Sequence, residues 1–92
     1  MPVYKNQFGV PQYPKGDARR LFVLLSAIDI LERPTASALA DLTGIDRETI
    51  DGEMAILREQ YGIELHKLGE VYRIDSWGEL LRKEAVMKFI AN

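Results

Sequence analysis

Arg47, Glu48, Thr49, Asp51 and Arg58 alternate with Ile50, Met54 and Leu57 at helical spacing. If the aliphatic set faces a core, Arg47, Glu48, Asp51, Ala55 and Arg58 must point outward. Side chains of this kind recognise rather than react. Arg47 suits the two acceptors on a guanine edge, and the Thr49 hydroxyl suits a phosphate or a base. Arg58, Lys67 and Arg73 could hold phosphates around them, although Arg73 could instead pair with an acid across a hairpin. Arg19, Arg20 and Arg33 could add backbone contacts from the preceding helix and loop.

Catalytic chemistry has little to stand on. His66 is the sole histidine and falls at the tip of the expected hairpin, where a solvated loop residue is expected. Ser26, Ser37 and Ser76 have no nucleophilic setting, and Ser76 reads as a helix cap. The sequence holds no glycine-rich phosphate loop and no His/Cys spacing for a metal. The expectation is a binding protein without catalysis, metal or cofactor.

Charge complicates the choice of partner. Twelve basic residues against fourteen acidic give a net −2, whereas small nucleic-acid binders usually carry a basic excess. From Asp46 to Gln60 two arginines face five carboxylates. Asp46 and Glu48 complement a helix N-terminus, but Asp51 and Glu53 lie beyond its first turn. There are no cysteines, so disulfides and thiolate chemistry are excluded. The start, MPVYKNQFG, lacks the basic and apolar regions of a secretory signal. The longest apolar runs, such as Leu21 to Leu25, are too short to cross a membrane. A cytoplasmic protein with no membrane association is expected.

The elements that must position these residues can be read in order. Residues 1–16, with three prolines and the aromatics Tyr4, Phe8 and Tyr13, predict an extended arm. Three aromatics would not dangle in water, so the arm should lie across its own domain, dock on a partner subunit, or use Lys5 and Lys15 in a minor groove. Residues 17–92 form the single domain. Asp17 caps a helix from Ala18 to Glu32, with Leu21, Leu25 and Ile28 as its stripe, and Pro34 stops it. Thr35 caps a second helix, Ala36 to Thr43, which Gly44 ends. Asp46 caps the third, Arg47 to Tyr61, ended by Gly62. Segments Ile63–Leu65 and Val71–Ile74 then flank a turn at Lys67–Glu70. Ser76 caps a last helix, Trp77 to Ile90. Its stripe of Trp77, Leu81, Ala85 and Phe89, widened by Ile90, is more than one domain needs. Trp77, Leu81, Phe89 and Ile90 are therefore the expected homodimer interface.

On Leu39-Ala40, Thr43-Gly44-Ile45, Arg47 to Ile50, Leu57-Arg58, Tyr61-Gly62-Ile63 and Tyr72-Arg73-Ile74, the chain resembles the winged helix-turn-helix family, including the biotin repressor DNA-binding domain. The resemblance covers about 40 residues closely. It implies a mainly α fold with a small β-hairpin: a three-helix core, a wing and a C-terminal helix. It also implies sequence-specific double-stranded DNA binding by a dimeric transcription regulator of phage or mobile-element type, with the third helix in the major groove. Glu48 and Asp51 would then face the duplex beside Arg47, Thr49, Arg58, Lys67, Arg73 and Arg33. The alternative is a protein-docking module, an adaptor or inhibitor, that uses the acidic third helix or the apolar C-terminal one.

Overall fold

The structure, a computed structural model, describes residues 4–88. Asp17 begins α1 (Ala18–Ile30) as the sequence predicts, accepting from the Arg19 backbone N–H at 2.9 Å. The helix stops two residues before the expected Glu32. Leu31 is already extended, with ψ 136, so the chain has straightened ahead of the constraint at Pro34. Thr35 starts α2 (Ala36–Thr43), its Oγ1 accepting from Ala38 N at 3.1 Å. Gly44 ends that helix at φ 76, in the left-handed region that a Cβ disfavours.

α3 (Arg47–Tyr61) follows after the three residues Gly44–Asp46. Asp46 stands at its N-terminus, but the Asp46 side chain makes no capping bond. The Asp46 carbonyl accepts instead, from Thr49 N at 3.0 Å and Thr49 Oγ1 at 2.8 Å. Ile50, Met54 and Leu57 are fully buried, as their spacing requires, and pack with Leu24, Leu25 and Leu39 into one core. Ala55, expected outside, is half-buried. Glu53 is buried as well, at 6% exposure.

The strands are longer than expected: β1 (Glu64–Leu68) and β2 (Val71–Ser76) pair antiparallel around a turn at Gly69, with a register irregularity between Glu64 and Leu65. The register pairs Leu65 with Ile74 and Lys67 with Tyr72 on the inner face, and His66 with Arg73 on the outer. His66 therefore sits within a strand and not at the tip, where its Nδ1 meets the Asp75 carboxylate. Tyr72 N donates to Pro34 O at 2.9 Å and Thr35 bridges to Val71, so the loop before α2 is fastened to the hairpin.

The C-terminal segment departs most from expectation. Among its described residues only Lys83–Met87 is helical (α4). Gly78 takes φ 70, and a Cβ there would meet the Gly62 carbonyl oxygen at 2.5 Å. Ser76 caps no helix; its Oγ accepts from Gly78 N at 3.2 Å within a turn. Trp77 and Leu81 are half-buried against the chain's own core, and Ser26 Oγ donates to Val86 O at 2.8 Å, tying α4 to α1. A free stripe through Trp77 and Leu81 is thus replaced by intramolecular packing. Phe89 and Ile90 lie outside the described residues.

The arm lies on its own domain. Asn6 Nδ2 donates to Leu42 O at 2.7 Å, Gln12 Nε2 donates to Thr43 O at 2.8 Å, and Val10 is fully buried. Tyr4 and Phe8 are nevertheless exposed, whereas the half-buried Tyr13 ring lies under Arg19, 4.5 Å from its guanidinium carbon. The described residues make a small, mainly helical fold of four helices and one antiparallel hairpin. No helix among the described residues is long and apolar enough to cross a membrane.

Candidate nucleic-acid interface

Three elements converge near Arg47. The tight turn Gly44–Asp46 sets the first residue of α3 beside the first turn of α2, and the Pro34–Tyr72 bond brings up the hairpin. Thr35, Ala36, Ser37, Arg47, Lys67 and Glu70 line the depression between them, about 240 Å³. The first backbone N–H groups of α2 have no partner within the helix, and the helix dipole adds positive potential there. Arg47 and Lys67 supply two exposed cations at the same place, while Glu70 opposes them in part. Lys67 Nζ also stands 5.1 Å from the centre of the Tyr72 ring. Such a setting suits an anion of phosphate size.

The other site residues divide. At 100° per residue, Glu48, Gly52 and Glu59 run along the exposed midline of α3, with Arg47, Asp51 and Arg58 on its hairpin side. Asp51 is held to the hairpin by the Tyr72 hydroxyl, which donates to Asp51 Oδ1. Burial, then the Asp51 carboxylate, push the Tyr72 phenol well above its usual value of 10.0, so it stays a donor at any ordinary pH. Arg58 Nη1 lies 3.4 Å from Leu65 O, at the base of β1. Asp51 and Arg58 thus fix α3 to the hairpin while remaining exposed.

Thr49 does not present a free donor. Its hydroxyl proton goes to Asp46 O, and its oxygen accepts from Arg20 Nη2 at 3.1 Å. A phosphate contact needs that proton, so the expected role of Thr49 gives way to fixing α3 against α1. Arg20 is likewise committed, with Nε 2.8 Å from Glu53 Oε1, and Arg19 pairs with Asp17 at 2.7 Å. Arg20 is thereby withdrawn from backbone contacts, whereas Arg19 stays exposed beside Asp17. The burial of Glu53 also removes it from the acidic outer surface.

Arg73 lies on the outer face of the hairpin, where it lines a separate depression with Asp29 and Glu32. Strand alternation sends it away from Lys67. Arg33 is exposed in the loop before Pro34. The structure therefore brings together Arg47 and Lys67, leaves Glu48, Asp51 and Arg58 along α3, and sets Arg73 apart. Ser37 was missed from sequence; its place two residues after the Thr35 cap was the available signal. Among the described residues, no group of three or more His, Cys, Asp or Glu is arranged to hold a metal ion. Compared with family models, curated proteins and solved structures, the chain matches none.

Proposed function

We propose that this chain is a winged helix-turn-helix protein that binds double-stranded DNA as a small transcription regulator. In this reading α3 lies along the major groove and the hairpin is the wing. The observation that carries it is the meeting of Arg47 and Lys67 with the N-terminus of α2. One backbone phosphate seated there would be held by two cations and by main-chain N–H groups, fixing the register of α3 on the duplex. Arg47 then serves a phosphate more directly than a guanine edge. Base reading falls to the exposed midline, where Glu48 can accept from a cytosine amino group.

The test is selection of duplexes from a random pool at low salt, followed by titration of the enriched sequence. Arg47→Ala should weaken binding to enriched and random duplexes about equally, since a phosphate contact carries no sequence information. Loss of preference with little loss of random-sequence affinity would return Arg47 to the base edge.

A second reading has its own support. Glu48, Asp51 and Glu59 keep the open side of α3 acidic despite the burial of Glu53. That surface suits a basic patch on a protein. Failure to enrich any duplex at low salt would favour this docking module. Trp77 and Leu81 pack against the chain's own core while remaining half exposed.

A further inference from the structure

The last carbonyls of α2 have no amide partner within the helix, and two side chains distant in sequence serve them. Asn6 Nδ2 donates to Leu42 O at 2.7 Å, and Gln12 Nε2 donates to Thr43 O at 2.8 Å and to Val10 O at 3.0 Å. Both residues are also held within the arm. Asn6 Oδ1 accepts from Phe8 N at 2.9 Å and from Val10 N at 3.0 Å, while Gln12 N donates to Tyr4 O at 2.8 Å. Residues 4–12 thus form a closed loop with its own hydrogen bonds, and the fully buried Val10 pins it to the domain.

The receiving surface matches this loop. Gly44 lies so close to the Gln12 amide that a Cβ there would run into Gln12 Oε1. The Thr43 hydroxyl is already engaged, donating to Leu39 O at 2.6 Å and accepting from Ile45 N at 3.2 Å. What the arm grips is therefore the backbone of residues 42–44, where the chain turns from α2 toward α3. Arg47 opens α3 three residues after Gly44.

We propose that the arm is a clasp on the bend between α2 and α3, and that Asn6 and Gln12 are positioning residues for Arg47. By closing the end of α2 they fix the direction in which α3 leaves it. That direction decides where Arg47 stands relative to the first turn of α2. The clasp acts in this way whatever fills the depression at Arg47, so it stands apart from the duplex reading.

Gln12→Glu tests it with an almost isosteric exchange that leaves the side chain a pure acceptor at neutral pH. The Val10 and Thr43 carbonyls then face a group with no proton to give. Near pH 4 the new carboxyl takes up a proton and can donate one of the two bonds again. Backbone amide exchange is followed in the full ¹⁵N-labelled chain, each rate taken relative to the parent at the same pH. At pH 7 the Gly44 and Ile45 amides should exchange about tenfold faster, together with those of Val10 and Gln12, as the loss of about one hydrogen bond requires. The Arg47 amide resonance should move with them, while the amides of the hairpin keep the parent's rates. Near pH 4 most of the difference should vanish. Gln12→Ala should show the same loss at pH 7 and no recovery in acid. Loosening of the arm alone with Gly44, Ile45 and Arg47 unchanged, equal acceleration in the hairpin, or a Gln12→Glu defect that persists at pH 4 would overturn the proposal.

Discussion

Removing one oxygen atom tests how α3 is fixed to the hairpin. In Tyr72→Phe the ring, 2% exposed, keeps its packing and only the bond to Asp51 is lost. A hydrogen bond to a charged acceptor contributes about 1.5–3 kcal/mol. Asp51 is exposed and can turn to water, so the lower end, about 1.5 kcal/mol, is expected at neutral pH. The pH dependence adds a second signature. The unfolded phenol ionises near 10.0, whereas the native one is pushed higher by burial and by Asp51. Above that pH the unfolded chain binds fewer protons than the native one, so stability falls as pH rises. At about pH 11 the unfolded phenol is ionised roughly ten to one, a loss of about 1.4 kcal/mol that phenylalanine does not suffer. Urea unfolding followed by the fluorescence of Trp77, the one tryptophan, measures both proteins. The other titrating groups are common to both and cancel in the difference. The stability gap should be present at neutral pH and close near pH 11. A gap that stays constant across this range, or none at neutral pH, refutes the reasoning.

Two further substitutions probe the rest of the frame. Gly78→Ala forces a Cβ into the left-handed region and toward the Gly62 carbonyl, and should destabilise by about 2–3 kcal/mol, read as a lower melting temperature. Glu53→Gln tests the buried pair on α1 and α3. The raised carboxyl of Glu53 contributes stability fully below its ordinary value of 4.5 and loses it as pH rises through the raised one. Chemical denaturation across the weakly acidic range should show that decline in the parent and its absence in the variant.

Local signals were legible in the sequence where one residue decides the backbone. Asp17, Thr35, Gly44 and Gly62 mark their helix ends through a side-chain acceptor or a positive φ, and the structure places each there. The four-residue spacing of Trp77, Leu81 and Ala85 misled because apolar period carries no information about Gly78. Once Gly78 turns left-handed against Gly62, residues 77–82 cannot continue a helix, and Trp77 and Leu81 reach the core from a turn. The burial of Glu53 has no mark in the sequence, where a charged residue usually means exposure. Its partner Arg20 lies on another helix, and pairing across elements has no signature in spacing. The same holds for the depression at Arg47. Arg47 and Lys67 were visible as cations, but their meeting with the start of α2 depends on the Pro34–Tyr72 bond that docks the hairpin.

The central claim is that this depression seats a phosphate of duplex DNA. The most direct measurement is fluorescence anisotropy of a labelled duplex titrated with protein over a series of salt concentrations, for the parent chain and for Lys67→Ala. Counterion release predicts affinity that falls steeply with salt in the parent and a logarithmic slope shallower by about one in the variant. Identical slopes, or a parent chain that binds no duplex even at the lowest salt, would contradict it.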